Sequence, residues 1–350
     1  MTKLGALLAQ RIAATGPMTL ADYMADCLMH PQFGYYATRD PFGASGDFTT
    51  APEISQMFGE LIGLCLAQTW MDQGAPAQIT LAEIGPGRGT LMADALRATR
   101  GVVGFHAALS VHFIETSPTL RKRQAEAVPD ATWHDSIETL PQAPLYLVAN
   151  EFFDALPIRQ FTRDKAGWRE HMVGVQGDTL LMGLSAPAPI ALLEDRLSDT
   201  KEGDIVEHCP ALPSIVAEMS QRIEAHGGAA LIIDYGDWHS LGDTLQALQN
   251  HETANPFANP GMADLTAHVD FEVIAKAATC FTRVTPQGVF LERLGITPRA
   301  QALAKGLTDA ALEAHIQAHW RLTHPDAMGS LFKVIGLFPS NGIPPAGLET

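Results

Sequence analysis

Leu81-Ala82-Glu83-Ile84-Gly85-Pro86-Gly87-Arg88-Gly89-Thr90 joins a strand to a helix through a glycine-rich turn. It closes an apolar run, Ile79 to Ile84, that predicts a buried strand. Beyond the glycines, Leu91, Met92, Ala95 and Leu96 recur at helical spacing. Strand, glycine-rich turn and helix start together form a ligand cradle. Glycine lets backbone come close to a ligand, and a helix start offers unpaired N–H groups and a positive dipole end to an anion. The dinucleotide fingerprint requires G-x-G-x-x-G. Here the third glycine is Gly89, the pattern is G-x-G-x-G, and Thr90 stands where the dinucleotide glycine would be. Glu83 lies two residues before Gly85. The plainer alternative is a tight strand–helix turn in some other α/β protein.

Composition narrows the function classes. The 350 residues suffice for one large domain or two smaller ones, and a 46% hydrophobic content provides for a sizeable core. Asp and Glu number 39 against 23 Lys and Arg, a formal charge of −16. Such a surface repels a phosphate backbone, so nucleic acid is not expected as a partner, whereas a basic protein target is favoured. Cys27, Cys65, Cys209 and Cys280 are widely spaced with no C-x-x-C, and read as ordinary buried thiols of a reducing compartment. The 13 histidines show no zinc-type spacing, so no metal is expected. No apolar run reaches membrane-spanning length. The N-terminus has neither a signal-peptide core nor an Arg/Ser-rich transit sequence, which gives a cytoplasmic expectation.

Along the chain, Leu4, Leu7, Leu8 and Ile12 share a helical face that ends at Gly16-Pro17. Thr19 with Asp22 predicts a capped second helix. Phe42 to Glu53 is rich in small and hydroxyl residues, and Thr50 and Glu53 have capping-box spacing. On residue chemistry alone that segment is a loop and helix cap. The functional alternative is a lid over a ligand. Leu109 to Ile114 predicts a second strand ending at Glu115, where a Rossmann-like site holds ribose hydroxyls. A surface glutamate at a strand end is the alternative. Ala131 to Trp133 begins a third strand, and His134-Asp135-Ser136-Ile137 is a candidate adenine-edge loop, though Asp135 is equally a helix N-cap. Leu145 to Ala149 is a fourth strand running into Asn150-Glu151-Phe152-Phe153-Asp154-Ala155-Leu156-Pro157. Two carboxylates and two aromatics at a strand's carboxyl end make a candidate substrate pocket, with a buried salt bridge as the alternative. Residues 158–184 read as an antiparallel insertion, Ala229 to Ile233 as a fifth strand, and Phe281 to Thr285 and Leu331 to Phe338 as the last two.

An acid before G-x-G-x-G resembles the first motif of Rossmann-like S-adenosylmethionine (SAM) dependent methyltransferases. With Gly34-Tyr35-Tyr36, Gly46 to Glu53, Asn150 to Pro157, Ile233-Asp234-Tyr235-Gly236 and Asp264 to Phe271, the chain resembles the MidA-like methyltransferases over nearly its whole length. The mitochondrial members are complex I assembly factors that symmetrically dimethylate an arginine of the 49-kDa-type subunit of NADH dehydrogenase. The resemblance implies a Rossmann-like fold with a seven-stranded, mostly parallel sheet whose last strand is antiparallel, plus N-terminal helices and the insertion. The implied division is 1–75 for an N-terminal helical lid region, 76–157 for the first part of the core, 158–212 for the β-rich insertion, and 213–350 for the remainder. It implies that Gly85, Gly87 and Gly89 cradle SAM, that Glu83 anchors its amino group, and that Glu115 holds its ribose, with Asp135 and Asn150 also at the cofactor. It turns Gly46, Asp47, Phe48, Thr49 and Thr50 from a cap into a cofactor lid.

Glu151 and Asp154 become the candidate catalytic pair. An arginine nitrogen is a poor nucleophile while its charge is delocalised, and carboxylates can hold the guanidinium and localise that charge. A helical continuation after the fourth strand puts both acids on one face, and an extended turn splays them. Two other functions fit the same motifs: methylation of a small molecule on O or N, and a SAM-binding assembly chaperone without turnover.

Overall fold

The computed structural model describes residues 1–38, 49–165 and 167–350. The chain forms two compact units, each gathered from three segments. The first unit comprises Thr49–Phe153, Pro213–Trp238 and Phe271–Thr350. The second comprises the described part of Met1–Phe48 with Asp154–Leu212 and His239–Asp270. These boundaries differ from the four consecutive segments expected from sequence.

The first unit is built on one sheet. Its strands are β1 (Ile79–Ile84), β2 (Leu109–Ile114), β3 (Thr132–His134), β4 (Leu145–Asn150), β5 (Gly228–Asp237), β6 (Thr285–Pro286) and β7 (Phe332–Leu337). They lie in the order β6-β7-β5-β4-β1-β2-β3. The five from β3 to β5 pair in parallel, while β7 runs antiparallel to β5 and β6 antiparallel to β7. Every residue of β1 and of β4 is buried, as a strand covered on both faces requires. The strand order reverses between β1, which leads outward to β2 and β3, and β4, which returns to β1's other side. Open α/β sheets bind ligands outside the carboxyl ends of strands at such a switch point. Here those ends carry the glycine turn and the Asn150–Phe153 run.

Four helices frame that end: α1 (Ala51–Ile54), α2 (Gln56–Asp72), α3 (Thr90–Ala98) and α4 (Pro118–Ala127). Leu91, Met92 and Ala95 form the buried face of α3, at the spacing read from sequence. Glycines let α2 lie against α3: a methyl at Gly63 would come within 2.6 Å of Ala95 Cα. Met57, Phe58, Leu61, Ile62 and Trp70 of α2 share one core with the sheet residues Leu81, Phe113, Tyr146, Val148, Leu231 and Val334.

One strand expectation is corrected. Phe281 to Thr285 does not form a full strand. Thr285 and Pro286 pair with β7, and Phe281 makes an isolated bridge to Leu337. Thr282 still meets β7, its N–H donating to the Gly336 carbonyl and its hydroxyl accepting the Gly336 N–H, but the next residue turns away, the Arg283 N–H donating to the Glu349 carbonyl.

The second unit has its own core. The helix Lys3–Thr15 buries Leu4, Leu8 and Ile12 and stops at Gly16 with φ +90°. The helix Leu20–Met29 starts at Thr19, whose hydroxyl accepts the Asp22 N–H as its spacing predicts. These helices pack with Ile158, Val173, Leu180 and Leu265. The expected insertion is antiparallel: Arg159–Asp164, Gly167–Gln176 and Thr179–Leu184 form successive hairpins. Ile205–His208 pairs at one edge, and Met18–Thr19 pairs with Val173 and Met172. In the Pro-rich stretch after His251, Asp264–Thr266 is a fully buried strand paired with Gln246–Gln249. Among the described residues, no helix is long and apolar enough to cross a membrane.

Candidate functional site

The turn after β1 is held in a conformation that favours glycine. Gly85, Gly87 and Gly89 have φ of +66°, +53° and +82°, values that a side chain strains. A Cβ on Gly85 would also meet Phe152 Cδ2 at 2.9 Å, so the turn and the residues beyond β4 are in close contact. Gly89 caps α3 without a side-chain hydrogen bond.

Glu83 lies beneath that turn and is 3% exposed. The N–H of Met92, in the first turn of α3, donates to its carboxylate. Oε2 is buried with no hydrogen-bond partner among the described residues. Burial holds this carboxyl well above the ordinary carboxylate range, and the Met92 N–H offsets only part of that. A buried carboxylate oxygen left unpaired is suited to an incoming cation.

At the end of β2, Glu115 Oε1 accepts the Ser117 N–H at 2.7 Å and Oε2 accepts Gln124 Nε2 at 3.1 Å. Burial raises its pKa against those bonds. Asp135, after β3, is no N-cap. Its side chain is 83% exposed and held by Arg121 Nη2 at 2.5 Å, and the Ser136 N-cap position serves the following turn.

Past β4 the chain does not continue as a helix. Glu151 takes φ +51°, an uncommon value for a residue with a side chain. Its Oε1 accepts the Ala51 N–H at 2.9 Å and Asn150 Nδ2 at 3.0 Å. Asn150 is 7% exposed, and its Oδ1 is buried with no partner among the described residues. The Phe153 N–H donates to Asp234 Oδ2 at 3.0 Å, which ties the run to the end of β5. Asp154 belongs to the other unit, where it is 6% exposed and its carbonyl accepts the Ala267 N–H. In that unit Tyr36 Oη donates to Asp264 Oδ1 at 2.8 Å, and both Asp264 and Asp154 help push the Tyr36 phenol upward after burial has done most of it.

Gly46, Asp47 and Phe48 lie outside the described residues. Thr49 and Thr50 lead into α1, which docks at the glycine turn. The expected capping box does not form, since Thr50 makes no side-chain cap bond. Glu53 Oε1 instead accepts the Thr90 hydroxyl at 2.5 Å, and its Oε2 lies 3.9 Å from Arg88 Nη1. With Ala51 on Glu151 and Glu53 on Thr90, this segment is held to both the turn and the end of β4. Sequence reading missed Gln124 and the Glu53–Thr90 pair, and it quoted Asp234 within a motif without assigning it a contact. Only the position of Asp234 at a strand's carboxyl end marked it in advance.

Residues 61–289 match a family model described as a putative S-adenosyl-L-methionine-dependent methyltransferase. The human protein arginine methyltransferase NDUFAF7, mitochondrial, is 35% identical over 94% of this chain and 82% of its own length. The Drosophila melanogaster homologue is likewise 35% identical over 94% and 83%. A Burkholderia thailandensis structure described as a likely methyl transferase bound to S-adenosyl-homocysteine superposes with a TM-score of 0.81. It is 28% identical and covers 99% of this chain and 92% of that one. The unpaired Glu83 oxygen fits an ammonium, and the glycine turn leaves room for close backbone approach. Glu115 stands at the strand end where vicinal hydroxyls are held, so the residues present suit this cofactor. The chain belongs to the MidA-like family of S-adenosyl-L-methionine-dependent methyltransferases and is an enzyme that uses that cofactor.

Proposed function

We propose that the protein methylates an arginine of a protein substrate, giving the symmetric dimethyl product on a 49-kDa-type subunit of respiratory complex I. The observation that carries the reading is its likeness, at 35% identity over 94% of the chain, to relatives named protein arginine methyltransferases. Its −16 charge also favours a basic target segment. In a bacterial cytoplasm the enzyme would act during assembly of the complex.

When bound, the cofactor supplies a methyl group on a sulfonium, so the protein's part is positioning, desolvation and charge placement. In this reading Glu83 opposes the cofactor's ammonium, the turn from Gly85 to Gly89 carries its methionine half, and Glu115 takes the ribose hydroxyls. Asp135 and Asn150 complete the set, and the segment through Thr49 and Thr50 covers it. Glu151 and Asp154 hold the guanidinium. Their charge draws the positive charge of the arginine away from the attacking nitrogen, which restores its lone pair. The arginine nitrogen would take the methyl, with S-adenosyl-homocysteine as the leaving group, and would give its proton to solvent with or after attack, so neither carboxylate has to act as a strong base. Phe152 and Phe153 narrow the space about a nitrogen already methylated, which favours the symmetric product.

The test is incubation with isotopically labelled cofactor and the recombinant 49-kDa-type subunit, with the label located by mass spectrometry. Symmetric dimethylarginine is expected. Label on a small molecule alone, or tight binding with no transfer to any acceptor, would overturn the proposal. Glu151→Gln keeps an oxygen for the Ala51 N–H and removes the charge. It should leave S-adenosyl-homocysteine affinity near normal and lower turnover by about 100-fold or more, as loss of one transition-state partner does. Full activity in both Glu151→Gln and Asp154→Asn removes these residues from the clamp.

A further inference from the structure

Gln124, on α4, is fully buried and uses every hydrogen-bonding group of its amide. One N–H donates to the Gly87 carbonyl at 2.8 Å and the other to Glu115 Oε2 at 3.1 Å. Its Oε1 accepts the Trp133 indole N–H at 2.8 Å. The indole therefore fixes which end of the amide faces the turn, since a flipped amide would set its oxygen against a carbonyl and a carboxylate. The helix carrying it is pressed on the same turn: a methyl on Gly89 would lie 3.5 Å from both the Gln124 Cα and the Ala127 Cβ.

We infer that Gln124 is a positioning residue that locks the middle of the glycine turn and the Glu115 carboxylate into one register, so that the two halves of the cofactor are received together. The inference rests on the reading that this turn and Glu115 hold the cofactor. The amide joins two parts of the site that come from different strands, β1 and β2. Its neutrality matters. A carboxylate in place of this amide keeps the size but has no donor for Gly87 or Glu115, and it adds a charge beside one already there. Other charged groups nearby have partners of their own, and Arg121 is among those that draw the Glu115 pKa down against burial. Arg121 donates through Nε to the Glu115 carbonyl at 2.7 Å and pairs with Asp135, Arg88 faces Glu53, and the His134 ring faces His112 and Thr139.

The test is S-adenosyl-homocysteine affinity by calorimetry for wild type, Gln124→Glu, Gln124→Met and Trp133→Phe, from about pH 8.5 to about pH 5.5. Gln124→Glu is expected to bind about 30-fold more weakly than wild type at the alkaline end, the scale of losing a hydrogen bond to a charged group. The ratio should narrow several-fold toward the acid end, where the introduced carboxyl becomes protonated and regains a donor. Gln124→Met should bind about 10-fold more weakly at a ratio that does not change with pH. Trp133→Phe leaves all charges in place. It should weaken binding about 3- to 10-fold, and it stands in if Gln124→Glu does not fold at alkaline pH. Wild-type affinity in the Gln124 variants, or a loss in Gln124→Glu that is constant with pH, overturns the inference while the cofactor reading stands. Absence of binding by wild type overturns both.

Discussion

In the proposed cofactor role, Glu83 is a side chain that trades stability for binding. Its position two residues before the first glycine was legible in the sequence, because local spacing places it at the strand's end. That one of its oxygens would be left unpaired was not legible, since this depends on which N–H groups reach it in three dimensions. Burial raises its pKa, so the folded state binds a proton more readily than the unfolded chain does. Its stability contribution is therefore favourable at low pH and is lost as pH rises through the folded pKa. Glu83→Gln removes that cost and also the counter-charge proposed for the cofactor's ammonium. The variant should melt higher than wild type without ligand, with a gap larger at alkaline than at acid pH. It should bind S-adenosyl-homocysteine about 10- to 100-fold more weakly, as loss of a charge-assisted hydrogen bond predicts. Calorimetric melting and titration of one preparation check both halves. A variant that melts lower and binds normally contradicts the assignment.

At the scale of elements, α1 and the β2–β3 edge each carry a contact that periodicity did not reveal. Thr50 and Glu53 had the spacing of a capping box, a local motif, but the stronger partner for Glu53 is the Thr90 hydroxyl, 37 residues away. Capping rules see only a few neighbours along the chain, so a distant competitor for the same carboxylate escapes them. Thr90→Val should loosen α1 without disturbing the sheet. Amide exchange at Glu53 and Ile54 should speed about 10-fold or more, the scale of a lost hydrogen bond to a charged group. Unchanged exchange there would show that Ala51 on Glu151 holds the segment alone. On β2, His112 Nδ1 lies 2.9 Å from His134 Nε2 of β3, and its Nε2 lies 2.9 Å from the Ser110 hydroxyl. Burial, and then the neighbouring His134, push the His112 pKa down to about 4. The folded state therefore binds fewer protons than the unfolded chain as pH falls from the ordinary histidine value toward 4. Stability from this pair is present above that ordinary value and is lost across the window between the two. Melting temperature should fall less between neutral pH and about pH 5 in His112→Asn than in wild type. Parallel slopes would remove the pair from the acid response.

Across the whole molecule, the class of fold was legible because the evidence for it is local. Apolar runs mark the parallel strands, glycines mark the turn after β1, and alternation with turn residues marks the hairpins of residues 158–184. Which segments share a core was not legible. Leu4 and Leu8 pack with Val173 and Leu265, and Met57 packs with Val334, and no periodicity of one segment names its distant partner. The two units lead to the last prediction. The glycine turn, Glu83 and Glu115 all belong to the unit containing β1 to β7. A ligand held by those groups stabilises the states in which they are intact, and at about 100 times its dissociation constant the effect is about 2.7 kcal/mol. Amides of β1, β4 and β5 that exchange only when this unit opens should then slow by about 100-fold. Arg159–Asp164 and Gly167–Gln176 belong to the other unit, where Val173 packs in one cluster and Phe161 and Trp168 in another, so their amides should slow far less if each unit opens cooperatively by itself. Hydrogen exchange with and without S-adenosyl-homocysteine reads both sets in one experiment. Equal slowing in the two would mean that the five crossings of the chain between the units weld them into one cooperative fold.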